Sequence, residues 1–393
     1  MSHTFLNEFM LSETDTLTLK NKLRKARIAT LLIFLVCGIG LASWVPMVPL
    51  AKTRLHLNDA RLGLILLCLG AGAMTIMPFT GSLINKFGSR LIMLLSGLMI
   101  SAILPLLLFA DNSIMLAISL YLFGMAIGAI DVSMNAQAVL IQERVGKYIL
   151  SSFHGLFSLG GLIGSLGLGF LLELGLSSTI AISIISVLLV VISVSQYNNL
   201  LPHSDEKQVE TATLIIPKGA VLVLGLMCFI AFLAEGAILD WSAVFLKFHR
   251  NFEDSMSGVG FAAFSVAMAV MRLSGDGLIN RFSSQKVVLY GGVMAALGLL
   301  IAIIIPSGIA TISGFVLVGI GCANIVPVFF STAGNLPDVA PSTAIAGVTT
   351  LGYIGQLAGP ALLGFLAEAT SLPLALGLVS ILLLIVAFTF RKF

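Results

Sequence analysis

The chain is 393 residues long, 58% hydrophobic and only 10% charged, with a mean hydropathy of +1.08 and a formal net charge of +3. Soluble domains carry about 25% charged residues, so this composition excludes a soluble globular protein and indicates a polytopic membrane protein. The small charge excess gives no footing for nucleic-acid binding. The four cysteines, Cys37, Cys68, Cys228 and Cys322, sit singly in apolar runs, without the spacing of a disulfide framework or a metal site.

Residues 1–26 are polar, carry Glu8, Glu13 and Asp15 ahead of a basic end, and lack the apolar core of a signal peptide; they read as a cytoplasmic tail. Crossing a bilayer takes about 20 apolar residues. Twelve runs meet that length, numbered here spans 1 to 12: 27–50, 60–84, 90–110, 114–142, 148–172, 177–197, 219–246, 256–280, 286–306, 309–335, 343–368 and 371–390. The longest polar break, Tyr197 to Lys218, divides them six and six. The expected organisation is an all-α membrane protein with two six-helix bundles, 27–197 and 219–390, a cytoplasmic linker over 198–218 and a cytoplasmic C-terminus over 391–393. With both termini inside, fifteen basic residues fall in inner segments and five in outer loops. The positive-inside rule then predicts a multi-pass protein of the cytoplasmic (inner) membrane with both termini cytoplasmic.

The halves repeat at a single offset. Leu83-Ile84-Asn85-Lys86-Phe87 returns 195 residues later as Leu278-Ile279-Asn280-Arg281-Phe282. The same offset takes Gly124 to Gly319, Gly160 to Gly355, Gly164 to Gly359, Gly169 to Gly364 and Glu173 to Glu368. One offset fitting three separate helix pairs predicts two bundles related by a parallel repeat, with a site near mid-membrane between them.

The stretch Gly124 to Gly161 concentrates polar groups inside apolar spans. On a helix, Gly124, Gly128, Asp131, Asn135, Ala138 and Gln142 form one small-and-polar stripe along span 4. Asp131 lies about 18 Å from the inner end of that span, close to mid-membrane. An ionisable residue at that depth is by default a pathway or proton site, although an acid permanently tied to the next helix would look the same. His154 on span 5 either relays protons and contacts solute or holds Asn135 and fastens spans 4 and 5. Gly160, Gly161 and Gly164 permit close helix packing.

Span 7 carries Glu235 and Asp240, about 140° apart on an unbroken helix. Glu235 is the deeper and the candidate for a central cavity. Asp240 and Trp241, like Trp44 on span 1, suit an outer gate or the interfacial belt, and Pro46 and Pro49 should bend the outer end of span 1. Arg272 and Asp276 on span 8 are one turn apart and can neutralise each other at an inner gate. Asn324 on span 10 and Gln356 on span 11 are candidate solute ligands.

The loop after span 2, Gly81-Ser82-Leu83-Ile84-Asn85-Lys86-Phe87-Gly88-Ser89-Arg90, resembles the G-x-x-x-D-R-x-G-R motif of the major facilitator superfamily, with Asn85 where the motif has Asp. Asp131-Val132-Ser133-Met134-Asn135-Ala136-Gln137, Phe153-His154-Gly155-Leu156-Phe157-Ser158 and Glu235-Gly236-Ala237-Ile238-Leu239-Asp240-Trp241 resemble its fucose-permease-like branch of sugar and uncharacterised permeases. That resemblance implies the major facilitator fold, a proton-coupling carboxylate on span 4, and gating by Asn85, Lys86 and Arg90.

The leading expectation is a monomeric, proton-coupled secondary transporter, surrounded by lipid, for a small polar solute such as a sugar or related hydroxylated compound. Asp131 and Glu235 would carry protons, and Asn135, His154, Asn324 and Gln356 would contact solute. Trp44, Asp240, Trp241, Arg272 and Asp276 would join the gates. A proton-antiport exporter of hydrophobic compounds is the alternative, and a non-transporting membrane sensor or assembly factor a third reading. No metal-ligand spacing, phosphate loop or nucleophile–base pair appears, so no cofactor and no enzymatic activity is expected.

Overall fold

The computed structural model describes residues 13–146, 149–205, 218–273, 281–337, 339 and 341–392. Among them all regular structure is helical, and twelve helices are long and apolar enough to cross a membrane. Their ends follow local chemistry. Asn112 caps span 4, its side chain accepting the Met115 N–H at 2.9 Å, and Gly146 in the left-handed conformation closes the other end through a 2.9 Å bond to the Gln142 carbonyl. The helix of span 1 begins at Glu13, within the segment expected to be a tail, because Thr-Leu-Thr-Leu-Lys-Asn-Lys-Leu-Arg-Lys-Ala is rich in good helix formers. It stops at Ser43 and resumes as Met47–Arg54, the interruption falling at Trp44–Pro46.

Span 10 is also broken, into Gly308–Cys322 and Ile325–Gly334. Pro327 lies four residues after Ala323 and has no N–H to give it. The Ala323 carbonyl is therefore left without its helical donor at mid-span.

Packing within each half rests on glycine contacts that obey the sequence offset. A Cβ at Gly124 of span 4 would collide with the Leu69 carbonyl of span 2, and one at Gly319 of span 10 with the Phe264 carbonyl of span 8. These contacts are related residue for residue by 195 positions. Gly160 of span 5 lies on Leu35 of span 1 and its repeat partner Gly355 of span 11 on Phe229 of span 7, where the glycine keeps the offset and its contact falls one residue short of it. Gly160 and Gly164 of span 5 thus serve its contact with span 1, which is far more extensive than its contact with span 4.

Consecutive spans alternate in direction, which defines two sides of the molecule. The near side bears Lys20, Gly88, Gly146 and Phe390; the far side bears Asn58, Leu174 and Thr370. The two halves meet chiefly through two seams, span 2 with span 11 and span 5 with span 8, and touch again where Met47–Arg54 of span 1 meets span 7, Lys52 lying 4.9 Å from the centre of the Phe248 ring. In both, the close backbone approaches lie toward the far side: Gly63 on Pro360 and Gly364, Gly169 on Ser255, and Gly258 on Ser165.

Candidate functional site

Below these seams a cavity of about 110 Å³ lies between the halves. Gly38, Leu41 and Ala42 of span 1 and Phe157, Ser158 and Gly161 of span 5 form one wall. The other is made by Glu235 and Leu239 of span 7, by Phe261, Phe264, Ser265, Met268 and Arg272 of span 8, and by Gln356 of span 11. Small-molecule sites usually span about 300–1,000 Å³, so a solute much larger than a few waters requires the walls to part. Toward the near side His154 is exposed, and nothing among the described residues lies within 4 Å of a Cβ built at Gly155.

The charged centre of the cavity is an ion pair. Arg272 Nη2 donates to both carboxylate oxygens of Glu235, at 3.3 and 3.2 Å. Its Nε donates to the Ala323 carbonyl at 3.3 Å, the acceptor that Pro327 leaves free. The guanidinium is thus held from two directions, by an ionisable partner and by the backbone of the broken span. Side-chain exposure is 37% for Arg272 and 14% for Glu235, so the arginine is the member open to the cavity. The sequence reading paired Arg272 with Asp276; Asp276 lies outside the described residues.

The remaining candidates are spread through the structure. Asp131 is half-buried on span 4 and does not line this cavity. Its Oδ1 accepts from Asn135 Nδ2 at 3.2 Å, and the same amide donates to the Asp131 carbonyl at 2.9 Å. His154 packs its ring edgewise on Phe34, with centroids 5.4 Å apart, and lies within electrostatic reach of Arg272. Gln356 is on the cavity wall, whereas Asn324, 6% exposed, donates to the Met271 carbonyl at 3.2 Å and lines a separate recess with Tyr290 and Met294.

Trp44 and Trp241 are buried, and among the described residues neither indole N–H has a partner. Asp240, on the same unbroken helix Gly219–Arg250 as Glu235, is 9% exposed, and no hydrogen bond or ion pair joins it to another described residue. At the turn between spans 2 and 3, Gly88 adopts φ +83°, and a Cβ there would sit 2.8 Å from His203. Lys86 lies over the Phe87 ring at 5.1 Å and Arg90 over Tyr197 at 4.6 Å, so both cations rest on aromatic faces of their own half.

Gln137 is a residue to which the sequence reading gave no role. Fully buried, it accepts from Thr30 Oγ1 at 3.1 Å and donates to Ser89 Oγ at 2.7 Å. It also exchanges 3.3 Å bonds with the Leu201 backbone. One amide thereby ties spans 1, 3 and 4 to the start of the linker. Its signal was a carboxamide two residues after Asn135, on the opposite face of the helix.

The sequence model of the Major Facilitator Superfamily matches residues 30–340. An uncharacterised MFS-type transporter of Yersinia pestis is 46% identical over 365 residues, covering 93% of this chain and 95% of that one. Membrane protein MosC of Rhizobium meliloti is 33% identical over 87% of this chain and 84% of its own length. Among solved structures, a bacterial homologue of the human lysosomal transporter Spinster, inward-facing and unoccupied, superposes with a TM-score of 0.73 at 14% identity, over 94% of this chain and 96% of that one. The nucleoside transporter NupG gives 0.70 at 14%, over 95% and 98%. At such identities the likeness shows the fold alone.

Proposed function

This chain belongs to the major facilitator superfamily, and we propose that it is a proton-coupled secondary transporter of a small polar solute, a sugar or related hydroxylated compound, working by alternating access. The observation that carries this reading is the cavity between the halves, polar at Ser158, Glu235, Ser265, Arg272 and Gln356 and overlain by two seams on its far side. Such a site lets two repeated bundles rock about a fixed centre. Glu235 and Asp131 are the groups that take up and release protons; Gln356 meets the solute, and His154 stands on the near-side approach. The fifteen-to-five distribution of basic residues supports placing the near side in the cytoplasm.

A second reading, proton-antiport export of a hydrophobic compound, draws on Phe157, Phe261, Phe264 and Met268, which share the same walls. Uptake into proteoliposomes, with and without an imposed proton gradient, separates the two. Asp131→Asn keeps hydrogen-bonding capacity while mimicking the protonated acid, so solute exchange should persist and gradient-driven accumulation should fall to the level without a gradient. Wild-type accumulation by Asp131→Asn would leave coupling to Glu235 alone.

A further inference from the structure

We infer that the solute carries a carboxylate, which binds Arg272 in place of Glu235 while Glu235 takes one proton. The inference rests on the transport reading and names its substrate class: a small polyhydroxy acid, such as a sugar acid. Three observations lead to it.

First, the two members of the pair are not equivalent. A guanidinium stays charged at any accessible pH, whereas a carboxylate can be neutralised. The cavity therefore alternates between a neutral pair and a single positive charge, and the charged state attracts an anion. Second, Arg272 does not depend on Glu235 for its position. The Nε bond to Ala323 persists when Glu235 is protonated, because Pro327 keeps that carbonyl free of any helical donor. What remains is an anchored guanidinium, more open to the cavity than its partner, and a planar fork of this kind suits a carboxylate. Third, neutral polar groups of Ser158, Ser265 and Gln356 share the walls; they can meet hydroxyls, while a second negative charge would find no cation on those walls.

The groups facing Glu235 fit this exchange. Cys228, two turns before Glu235 on its own span, and Cys322 of span 10, beside Ala323, are buried free thiols. Tyr353 of span 11 lies near Cys228, and His154 lies across the cavity near Arg272. A proton on His154 would add to the positive charge and further favour an anion. The bookkeeping closes without net charge: one proton on Glu235 and one carboxylate on Arg272 cross together.

The test measures melting temperature and binding for the full-length protein in detergent, with gluconate and glucuronate as probes and glucose and chloride as controls. Wild-type protein should bind the two carboxylates and not chloride, with affinity falling about tenfold per pH unit above the Glu235 titration, the slope of one linked proton. Glu235→Gln should bind them with that slope abolished. Arg272→Gln should lose them, and the double variant Glu235→Gln/Arg272→Gln, free of any lone buried charge, serves as the folded control. The proposal is overturned if neither carboxylate binds at pH 5.5, or if Arg272→Gln still binds them. Proton-driven uptake of glucose in that event would leave the transport reading intact, and absence of any gradient-driven uptake would remove both.

Discussion

The two seams that join the halves are built on one plan and fastened differently. In each, a glycine near the far-side start of one span meets the backbone of a span in the other half. Gly63 lies on the Pro360 carbonyl, and 195 residues later Gly258 lies on the Ser165 carbonyl. Among the described residues, only the seam between spans 2 and 11 adds a polar latch. Glu368 accepts from Asn58 Nδ2 at 3.1 Å and from the Asp59 N–H at 3.0 Å. A carboxylate of one half thus caps a helix N-terminus of the other, where both the free N–H and the helix dipole favour it. In the second seam the repeat places Glu173 opposite Glu253 and Asp254. Glu173 is exposed and makes no bond among the described residues, although Asp254 pairs with Lys247 at 2.7 Å just as Asp59 pairs with Lys52 in the first seam. Close approach of backbones was kept in both seams, and the electrostatic latch in one, so span 5 can slide on span 8 with fewer polar bonds to break.

The largest effect should come from the shared feature. Gly63→Ala and Gly258→Ala each drive a Cβ into a backbone carbonyl, which no side-chain rotation relieves. Overpacking of this kind costs about 1–3 kcal/mol, which corresponds to roughly a 5- to 150-fold shift toward a state parted on the far side. Spin labels at His56 and Thr370, in a chain whose four native cysteines are replaced, should report a longer distance for both variants. Gly155→Ala, with open space around its Cβ, should match the parent. A shift for one seam variant and not the other would break the equivalence of the two glycine contacts.

What was legible in the sequence follows from the range of the interactions involved. The twelve spans are written in runs of apolar residues, and the repeat in glycines whose neighbours are themselves repeated, so both could be counted along the chain. The placement of Glu235 toward the centre could be read from depth, and its separation from Asp240 from helical angle alone. The partner of Arg272 could not, because the sequence offers Asp276 one turn away, whereas packing brings Glu235 from another span. A local signal was present for the arginine's other bond: Pro327, four residues beyond Ala323, announces a carbonyl in need of a donor. Asn324 read as a candidate solute ligand because the repeat sets it within one turn of the position equivalent to Asp131; that it lies at a helix break and donates to the Met271 carbonyl could not be read from the offset. The role of Gln137 depends on Ser89 and Leu201, which only the folded chain brings beside it.

The latch itself should give an intermediate effect. Glu368→Gln removes the charge from the cap of span 2 while keeping its shape. Glu368 is exposed, so the loss should be about 0.3–1 kcal/mol. The same label pair should show roughly a two- to fivefold gain of the far-side-parted population, reduced further by high salt. Glu173→Gln, at the equivalent position of the other seam, should leave the distribution unchanged. Equal responses from the two glutamates would mean that the seams are fastened alike.

The smallest effect is expected from an attempt to copy the latch. Glu253 is the repeat partner of Asn58, so Glu253→Asn removes an acid from beside Glu173 and supplies the kind of amide that Glu368 meets in the first seam. One feature limits the gain. Span 2 presents a capped helix start at Asn58, whereas span 8 begins with a short 3-10 turn, Asp254–Met256, before its helix starts at Val259. The expected stabilisation of the closed far side is therefore at most about 0.5 kcal/mol, roughly twofold, seen as a narrower distance distribution between labels at Thr179 and Met256. A distribution identical to the parent would assign the asymmetry of the seams to the turn that opens span 8. A gain matching the loss in Glu368→Gln would assign it to the side chains alone.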